Sequence, residues 1–221
     1  MITIRSFEDA YLHDLYRISL ATGHLGGDAS HLYADPKLMG HIYSAPYARL
    51  EPSLVLIAMD DQGVAGFALG VVDTAIWEDR LEREWWPTLR VEYQDPSRLP
   101  ESGWIPDQRR ARMIHHPTRA PSDVAMSYPA HLHLNLLPRL QGVGVGSRLL
   151  AAWLDLAAHR SPPAVHVGVN RHNERAMRFW GRAGFSALEP QTSEPSRTIW
   201  LGRRLASSHD ASGELDRGPH P

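Results

Sequence analysis

The residues from Gln141 to Gly146 carry the clearest chemical signal in the sequence. The run reads Gln-Gly-Val-Gly-Val-Gly. Glycines let the backbone turn tightly and let a ligand approach it closely. When such a loop opens a helix, the unpaired N–H groups of the first helical turn carry a partial positive charge. The run therefore predicts a binding site for phosphate groups.

Two other glycine-rich phosphate loops differ from this run in spacing. A P-loop requires Gly-Lys-Ser/Thr after its spacer, and no Lys follows these glycines. A dinucleotide-binding loop requires G-x-G-x-x-G, whereas Gly142, Gly144 and Gly146 occupy every second position. The alternative that the loop only packs the start of a helix stays open on this run alone.

Histidines and carboxylates outside the loop offer acid–base chemistry. His133 is a candidate general base, because an imidazole titrates near neutral pH. Asp73 is the second candidate, and the alternative that His133 only packs or hydrogen-bonds is equally open. His115 and His116, with His131 and His133 downstream, suggest a metal site, but the spacing lacks the His-Glu-x-x-His pattern. We therefore expect no metal.

Apolar periodicity places these residues on a sheet and its helices. Leucines alternate with polar residues from His131 to Leu136, which predicts a half-buried strand, and helical spacing follows from Gly146 to Arg160. Residues 95–128, rich in Pro, Arg and His, are expected to be irregular. The other predicted elements are strands at 1–7, 54–59, 64–72, 165–169, 185–188 and 197–201, and helices at 9–20, 36–43, 75–93 with a bend at Pro87, and 173–183.

Composition limits the classes of protein to which the chain can belong. The 221 residues, 43% apolar and 22% charged, predict a single domain over residues 1–205, with an insertion at about 73–130 and a disordered tail at 206–221. A net charge of −2 without a basic run argues against a nucleic-acid partner. The absence of cysteine excludes disulfides and thiol catalysis. With no signal-like start and no apolar run near 18 residues, we expect a cytoplasmic protein without a membrane partner.

Two blocks in this order resemble the GNAT acetyltransferases. The family's acetyl-CoA loop, Q/R-x-x-G-x-G/A, matches Gln141 to Gly146 directly after a strand. Its next block, N-x-x-A-x-x-F-Y-x-x-x-G-F, resembles Asn173 to Phe185. Four further segments resemble the acetyltransferase-like domain of animal O-GlcNAcases and its free-standing bacterial relatives: residues 65–70, 82–87, 115–117 and 128–133.

The resemblance implies an α/β (α+β) fold. Its central sheet would be mixed and mostly antiparallel, with a splay beside the acetyl-CoA loop and helices on both faces. It also implies acetyl-CoA as the cofactor and an amine acceptor, either a small molecule or a protein lysine. The insertion would form a lid, an acceptor site or a subunit contact, the last of which would give a homodimer.

The resemblance also assigns roles to residues. Asp28, Tyr47 and Asn135 would contact the acceptor. The cofactor-binding residues that it implies are Leu136, Leu137, Gln141, Gly142, Val143, Gly144, Val145, Gly146, Ser147, Arg148, Asn173, Ala176, Phe179 and Trp180.

An acetyltransferase of this family aligns an amine for direct attack on a thioester. The backbone N–H of Leu136 or Leu137 would hold the oxyanion, and His133 or Asp73 would take the amine proton. The family's usual acid is a tyrosine, and Trp180 stands at that position. Because an indole cannot supply that proton, a pseudo-acetyltransferase stays as the alternative: a module that binds acyl-CoA or a protein with little or no transfer. Animal members of the subgroup are often regarded in this way.

Overall fold

The computed structural model describes residues 1–190 and 197–205, in which a seven-stranded sheet carries helices on both faces. The strands are β1 (Thr3–Ser6), β2 (Val55–Asp60), β3 (Gly63–Val71), β4 (Ala130–Leu136), β5 (Ala164–Asn170), β6 (Ser186–Ala187) and β7 (Thr198–Arg204). The helices are α1 (Leu12–Ala21), α2 (Leu38–Tyr43), α3 (Ala45–Leu50), α4 (Thr74–Glu84), α5 (Trp86–Glu92), α6 (Pro106–His115), α7 (Ser122–Ser127), α8 (Val145–Ala158) and α9 (Glu174–Arg182).

The strand order in the sheet is β1-β2-β3-β4-β5-β7-β6. Neighbouring strands run antiparallel except β4 and β5, which are parallel. A parallel pair needs a crossover connection, and α8 supplies it. The predicted mixed, mostly antiparallel sheet is therefore confirmed.

The parallel strands β4 and β5 separate soon after they meet. Ala130 pairs with Val165 and His131 with His166, whereas β3 pairs with β4 along six residues as far as Leu136. Beyond His131, β4 has no further pairs with β5, whereas β5 pairs with β7 on its other side from Ala164 to Asn170. The gap that opens between β4 and β5 is the predicted splay, and it exposes the edge of β4 to a ligand.

Small residues in β3 set how closely α8 packs on the sheet. A Cβ on Gly70 would lie 2.1 Å from the His131 carbonyl oxygen of β4 and 2.7 Å from the ring of Trp153, so a larger residue would disturb both the neighbouring strand and this helix. Trp153 is fully buried and its Nε1–H donates to the Leu54 carbonyl at 3.0 Å. Trp153 thereby ties α8 to the residue that precedes β2.

The insertion is more regular than the sequence suggested. The prediction that residues 95–128 are irregular is wrong, since α6 and α7 lie within them. Helix α6 begins with Pro106 in its first turn, and the Gln108 side chain accepts the Ile105 N–H at 3.0 Å. Its buried face consists of Ala111 and Ile114, too few apolar residues to give a clear period.

The predicted helix at 75–93 is two helices, α4 and α5, that meet at Trp85. The break lies two residues before Pro87, whose ring disfavours an uninterrupted helix. Helix α3 had no separate prediction.

No helix of the described ranges has the length and apolar character needed to cross a membrane. The tail predicted at 206–221 lies outside the described residues.

Candidate functional site

Two clefts border the diverging strands, and β4 contributes consecutive residues to both. Leu134, Asn135 and Leu136 line the first cleft, of about 450 Å³. His131, Leu132 and His133 line the second, of about 330 Å³. The first cleft is also bounded by the loop after β4 and by α9, and its other lining residues are Thr22, Gly26, Gln141, Gly142, Gly144, Gly146, Ser147, Asn173, Arg175, Ala176, Arg178, Phe179, Trp180, Arg182 and Ala183.

The glycine loop of the first cleft depends on left-handed backbone. Gly142 and Gly144 have φ angles of +80° and +81°, which side chains with a Cβ rarely adopt. A Cβ on either residue would meet no atom within 4 Å, so it would project into open space. Gly144 is the residue that precedes α8, and the N–H groups of the first helical turn lack intrahelical acceptors. The loop can therefore cradle an anion.

Gln141 ties the loop to its neighbours. Its Nε2–H donates to the Leu136 carbonyl at 2.6 Å, and its Oε1 accepts a hydrogen bond from Arg175 of α9. Both polar ends of this side chain thus have protein partners. Gln141 shapes the cleft by joining the end of β4 to α9.

The main chain of β4 turns one N–H towards the splay. The Leu137 N–H donates to the Ala65 carbonyl at 2.8 Å, so these two residues form a hydrogen-bonded pair. Antiparallel pairs alternate, and Leu136, opposite Gly66, therefore belongs to a pair without hydrogen bonds across to β3. The Leu136 N–H points away from β3, into the gap, and Leu134 has the same orientation.

Four of the fourteen predicted cofactor-binding residues do not line the first cleft. Val145 is in the core at 1% exposure, Leu137 is buried, Val143 is 62% exposed and Arg148 is exposed on α8. The other ten do line it. Among these, Asn173 caps α9 by accepting the Ala176 N–H at 3.0 Å.

Trp180 lies at the back of the first cleft, 6% exposed. Its ring meets Phe179 and Phe185 edge to face, with ring centroids 4.9 Å apart in each pair. The indole therefore packs into an aromatic cluster and presents no hydroxyl to the cleft.

Sequence reasoning missed the basic face of the first cleft. Arg175, Arg178 and Arg182 line it from α9. Their spacing of three and then four residues puts them on one helical face, a signal that was present in the sequence. Thr22, also missed, donates its hydroxyl to the Ile18 carbonyl at 2.6 Å and accepts the Asn135 side-chain N–H at 2.7 Å.

The second cleft lies on the opposite face of the sheet from α8. Its walls come from α2, α3, α4, α5, α6, β4, β5, β7 and the segment before α7. The lining consists of the rings of Tyr43, Tyr47, Trp77, Trp86 and Trp200, the histidines His131, His133 and His166, the charged Glu78, Glu82 and Arg119, and the residues Ile42, Thr74, Leu81, Met113, Pro117, Thr118, Ala120, Leu132, Val167, Gly168 and Thr198.

A chain of hydrogen bonds crosses the second cleft. The Thr74 hydroxyl lies 2.7 Å from both the Pro129 carbonyl and His131 Nδ1. His131 Nε2 lies 2.7 Å from the Tyr47 hydroxyl, which is 3.2 Å from His133 Nε2. His133 Nδ1 has no hydrogen-bond partner among the described residues and remains available to a ligand.

In this series of hydrogen bonds, each group determines whether the next one donates or accepts. Thr74 carries one hydroxyl proton, and when it donates to Pro129 it accepts from His131 Nδ1. His131 Nε2 then accepts from Tyr47, and Tyr47 accepts from His133 Nε2–H. In that arrangement His133 Nδ1 bears a lone pair. If the Thr74 hydroxyl instead donates to His131 Nδ1, then His131 donates to Tyr47 and Tyr47 donates to His133 Nε2. His133 Nδ1 then carries the ring proton and is a donor.

Burial keeps the histidines of the second cleft neutral. It lowers the pKa of His133 to about 4, with a further contribution from nearby His166. Burial also lowers the pKa of His131 and that of His166. The pKa of Tyr47 is raised, again by burial, so its hydroxyl stays protonated. Burial raises the pKa of Glu78 as well.

The predicted acceptor and base residues do not all meet. His133 and Tyr47 line the second cleft, and Asn135 lines the first. Asp73 caps α4 by accepting the Ile76 N–H at 3.0 Å, and Asp28 accepts hydrogen bonds from Ser30; neither lines a cleft. Among the described residues no group of three His, Asp or Glu side chains is arranged to hold a metal ion.

Comparison with known proteins finds matches to most of this chain. A family model described as "Acetyltransferase (GNAT) family" matches residues 12–185. The solved structure described as "Crystal structure of SsHAT" is 30% identical, with a TM-score of 0.84 over 93% of this chain and 98% of that one. The solved structure of yncA from Salmonella typhimurium, described as being "with its cofactor Acetyl-CoA", is 15% identical, with a TM-score of 0.54 over 93% and 94% of the two chains, and shares the fold.

Among curated proteins, Protein O-GlcNAcase of Rattus norvegicus and that of Mus musculus are each 18% identical to this chain over 174 residues. The match takes in 78% of this chain and 19% of each relative, so the chain spans about a fifth of their length. The resemblance recognised in the sequence is confirmed by these matches.

Proposed function

Because the chain belongs to the acetyltransferase (GNAT) family, we propose that it is an N-acetyltransferase that uses acetyl-CoA to acetylate an amine. The observation that carries the proposal is the position of the two clefts along β4. Residues 134–136 line one cleft and residues 131–133 line the other. A donor in the first cleft and an acceptor in the second would therefore meet at the splay.

The first cleft fits acetyl-CoA. The left-handed glycines and the N-terminus of α8 suit its pyrophosphate, and the arginines of α9 suit its remaining phosphate. The unpaired edge of β4 at Leu134 and Leu136 offers main-chain groups to the amides of the pantetheine arm. When bound, acetyl-CoA supplies a thioester carbonyl that an amine can attack.

The Leu136 N–H is the proposed oxyanion donor. It points into the splay, whereas the Leu137 N–H is already bonded to Ala65. A main-chain donor fixed by strand pairing needs no reorganisation as negative charge develops on the carbonyl oxygen.

His133 is the proposed general base. As the amine nitrogen bonds to the acetyl carbon, the carbon–sulfur bond breaks and its electron pair leaves with sulfur. His133 Nδ1 takes the proton that the nitrogen loses, provided that the Thr74 hydroxyl faces Pro129. A pKa of about 4 keeps this imidazole unprotonated at neutral pH, and although it makes the imidazole a weak base, the attacking nitrogen becomes strongly acidic as its bond to the carbonyl carbon forms.

Trp180 favours a second candidate function, a module that binds acyl-CoA without transfer. Its indole offers no proton to a thiolate. A thiolate is nevertheless a fair leaving group, since a thiol has a pKa near 8.5.

Titration calorimetry with acetyl-CoA, followed by thiol-release assays over a panel of amines, separates the two functions. Binding with amine-dependent thiol release supports the transferase, and binding without release on any amine supports the module. If acetyl-CoA gives neither heat nor a shift in Tm at millimolar concentration, both are wrong.

A further inference from the structure

We propose that the acceptor of the second cleft is a small diamine, with one amino group held by Glu78 as an ammonium ion and the other presented to His133. This inference rests on the proposed function, because it names the substrate class of the same site. It derives from a carboxylate that has no direct ion-pair partner among the described residues and from the presence of that carboxylate and the proposed base in the same cleft.

Glu78 is the charged side chain of the cleft lining that has no direct ion-pair partner among the described residues. Glu82 is bound by both Nη atoms of Arg90, at 2.5 and 3.0 Å, and Arg119 pairs with Asp79 at 2.6 Å. Glu78 accepts the Ala120 N–H at 2.7 Å, and no described Arg, Lys or His side chain lies within 4.0 Å of its carboxylate. It is half-buried and lines the cleft. Arg119, which is paired with Asp79, acts to lower the pKa of Glu78, but burial raises that pKa by more. A half-buried carboxylate without a direct ion-pair partner is stabilised by a cationic ligand.

The rest of the lining suits a cation on a short apolar linker. Tyr47 and Trp77 stack with centroids 4.5 Å apart, and Trp200 lines the wall that β7 contributes. Aromatic faces attract ammonium ions and pack against methylene groups. The histidines are neutral at pH 7 because burial lowers the pKa of each, so they add no opposing charge.

The nitrogen bound by Glu78 cannot be the one that reacts. A carboxylate stabilises the ammonium form and so opposes the deprotonation that attack requires. Glu78 lies one helical turn beyond Thr74 on α4, and Thr74 begins the hydrogen-bond chain that ends at His133. The two ends of the cleft therefore have different tasks: Glu78 binds a charge, and His133 removes a proton. An acceptor that uses both must carry two nitrogens.

Matched probes test this division on the full chain without acetyl-CoA. Titration calorimetry compares 1,5-diaminopentane with pentylamine, which lacks the second amine, and with 5-amino-1-pentanol, which replaces it with a neutral polar group. We expect the diamine to bind about 10- to 100-fold more tightly than pentylamine or 5-amino-1-pentanol, because a hydrogen bond to a charged group usually contributes that much to affinity. A wild-type ratio near one overturns the proposal, and so does tighter binding of a peptide with a single lysine.

Two variants of α4 locate the effect. Glu78→Gln should bring the ratio of diamine to monoamine affinity close to one, because it removes the charge and keeps the shape. Glu84→Gln removes the same charge from an exposed residue that pairs with Arg80, and it should leave the ratio unchanged. A retained ratio in Glu78→Gln contradicts the proposal; should that variant not fold, the wild-type ratio alone decides.

The same protein is titrated separately with acetyl-CoA. Normal acetyl-CoA binding with no preference for the diamine refutes the acceptor class and leaves the proposed function standing. Absent acetyl-CoA binding refutes the proposed function instead.

Discussion

The two clefts are built from different parts of the polypeptide. The first depends on main-chain geometry: left-handed glycines, a helix N-terminus and the unpaired edge of β4. The second depends on side chains that distant segments bring together, with His131 and His133 from β4, Tyr47 from α3 and Thr74 from α4. Backbone-built sites tolerate most side-chain changes that keep the backbone, whereas the second cleft should be sensitive to single atoms.

The clefts also differ in charge. Three arginines and a helix N-terminus make the first attractive to anions. In the second, Glu78 has no direct ion-pair partner among the described residues, the histidines are neutral and Arg119 is paired with Asp79, which together favour a cation. Under the proposed function, the two clefts would therefore take ligands of opposite charge that meet at the splay.

The largest expected effect comes from the proton acceptor of the second cleft. His133→Gln can still donate an N–H to Tyr47 but cannot take a proton, so kcat should fall by about 10²–10⁴-fold. The Kd of acetyl-CoA should not change, since the first cleft is untouched. Thiol-release rates and calorimetry measure the two quantities. A folded variant with undiminished kcat would assign the proton to another group.

A backbone change should be the most damaging in the first cleft. Gly144→Val would move the loop out of its left-handed conformation, and restoring it for binding costs about 1–3 kcal/mol, or roughly 5- to 150-fold in the Kd of acetyl-CoA. Calorimetry measures this, with Gly103→Val as the control, because Gly103 lies outside both clefts and has open space around it. Equal acetyl-CoA affinity in the two variants would place the cradle elsewhere.

Removing one oxygen should disturb the second cleft. Tyr47→Phe keeps the ring on Trp77 but leaves Nε2 of His131 and of His133 without their shared partner. We expect the free energy of unfolding to fall by about 1–3 kcal/mol and kcat to fall about tenfold. Denaturant unfolding and thiol release test this. Tyr33→Phe, which loses a hydroxyl outside the clefts, should keep its kcat.

A substitution at Trp180 in the first cleft should increase the rate of transfer. Trp180→Tyr supplies a hydroxyl near the departing sulfur and still packs between Phe179 and Phe185. We expect kcat to rise several-fold with little change in the Kd of acetyl-CoA, because the gain is confined to the transition state. A variant that binds normally and transfers no faster would show that protonation of the leaving group does not limit the rate.

The smallest effect is on stability as a function of pH. The unfolded chain binds protons on its histidines near pH 6.5, whereas the folded chain holds the pKa of His133 at about 4 and lowers those of His131 and His166. Below pH 6.5 the unfolded state therefore binds more protons, and stability falls as pH falls. Tm should drop by several degrees from pH 7 to pH 5 and drop less in His133→Gln. A Tm that does not change between pH 7 and pH 5 would contradict the burial of these histidines in their neutral form.

The sequence predicted the fold and most of the first cleft because their signals are contiguous. Strand, loop and helix follow each other from His131 to Arg160, and ten of fourteen assigned residues line the cleft. The second cleft was largely missed, because Glu78 and Trp77 look like ordinary positions of an amphipathic helix. His131 was considered as a metal ligand, since spacing along a strand does not reveal that Tyr47 and Thr74 take both ring nitrogens.

Strands β4 and β5 pair through only two residue pairs. The sheet therefore has two parts, β1–β4 on one side and β5–β7 on the other, and this short β4–β5 pairing is the seam between them. Helix α8 packs on β2, β3 and β4, which strengthens one side of that seam. We expect the β5–β7 side to open as a separate cooperative unit, at a lower free energy than global unfolding. A molecule lying along the edge of β4 and against α9 would fasten the two sides together. Its binding would decide which parts of the chain unfold in concert.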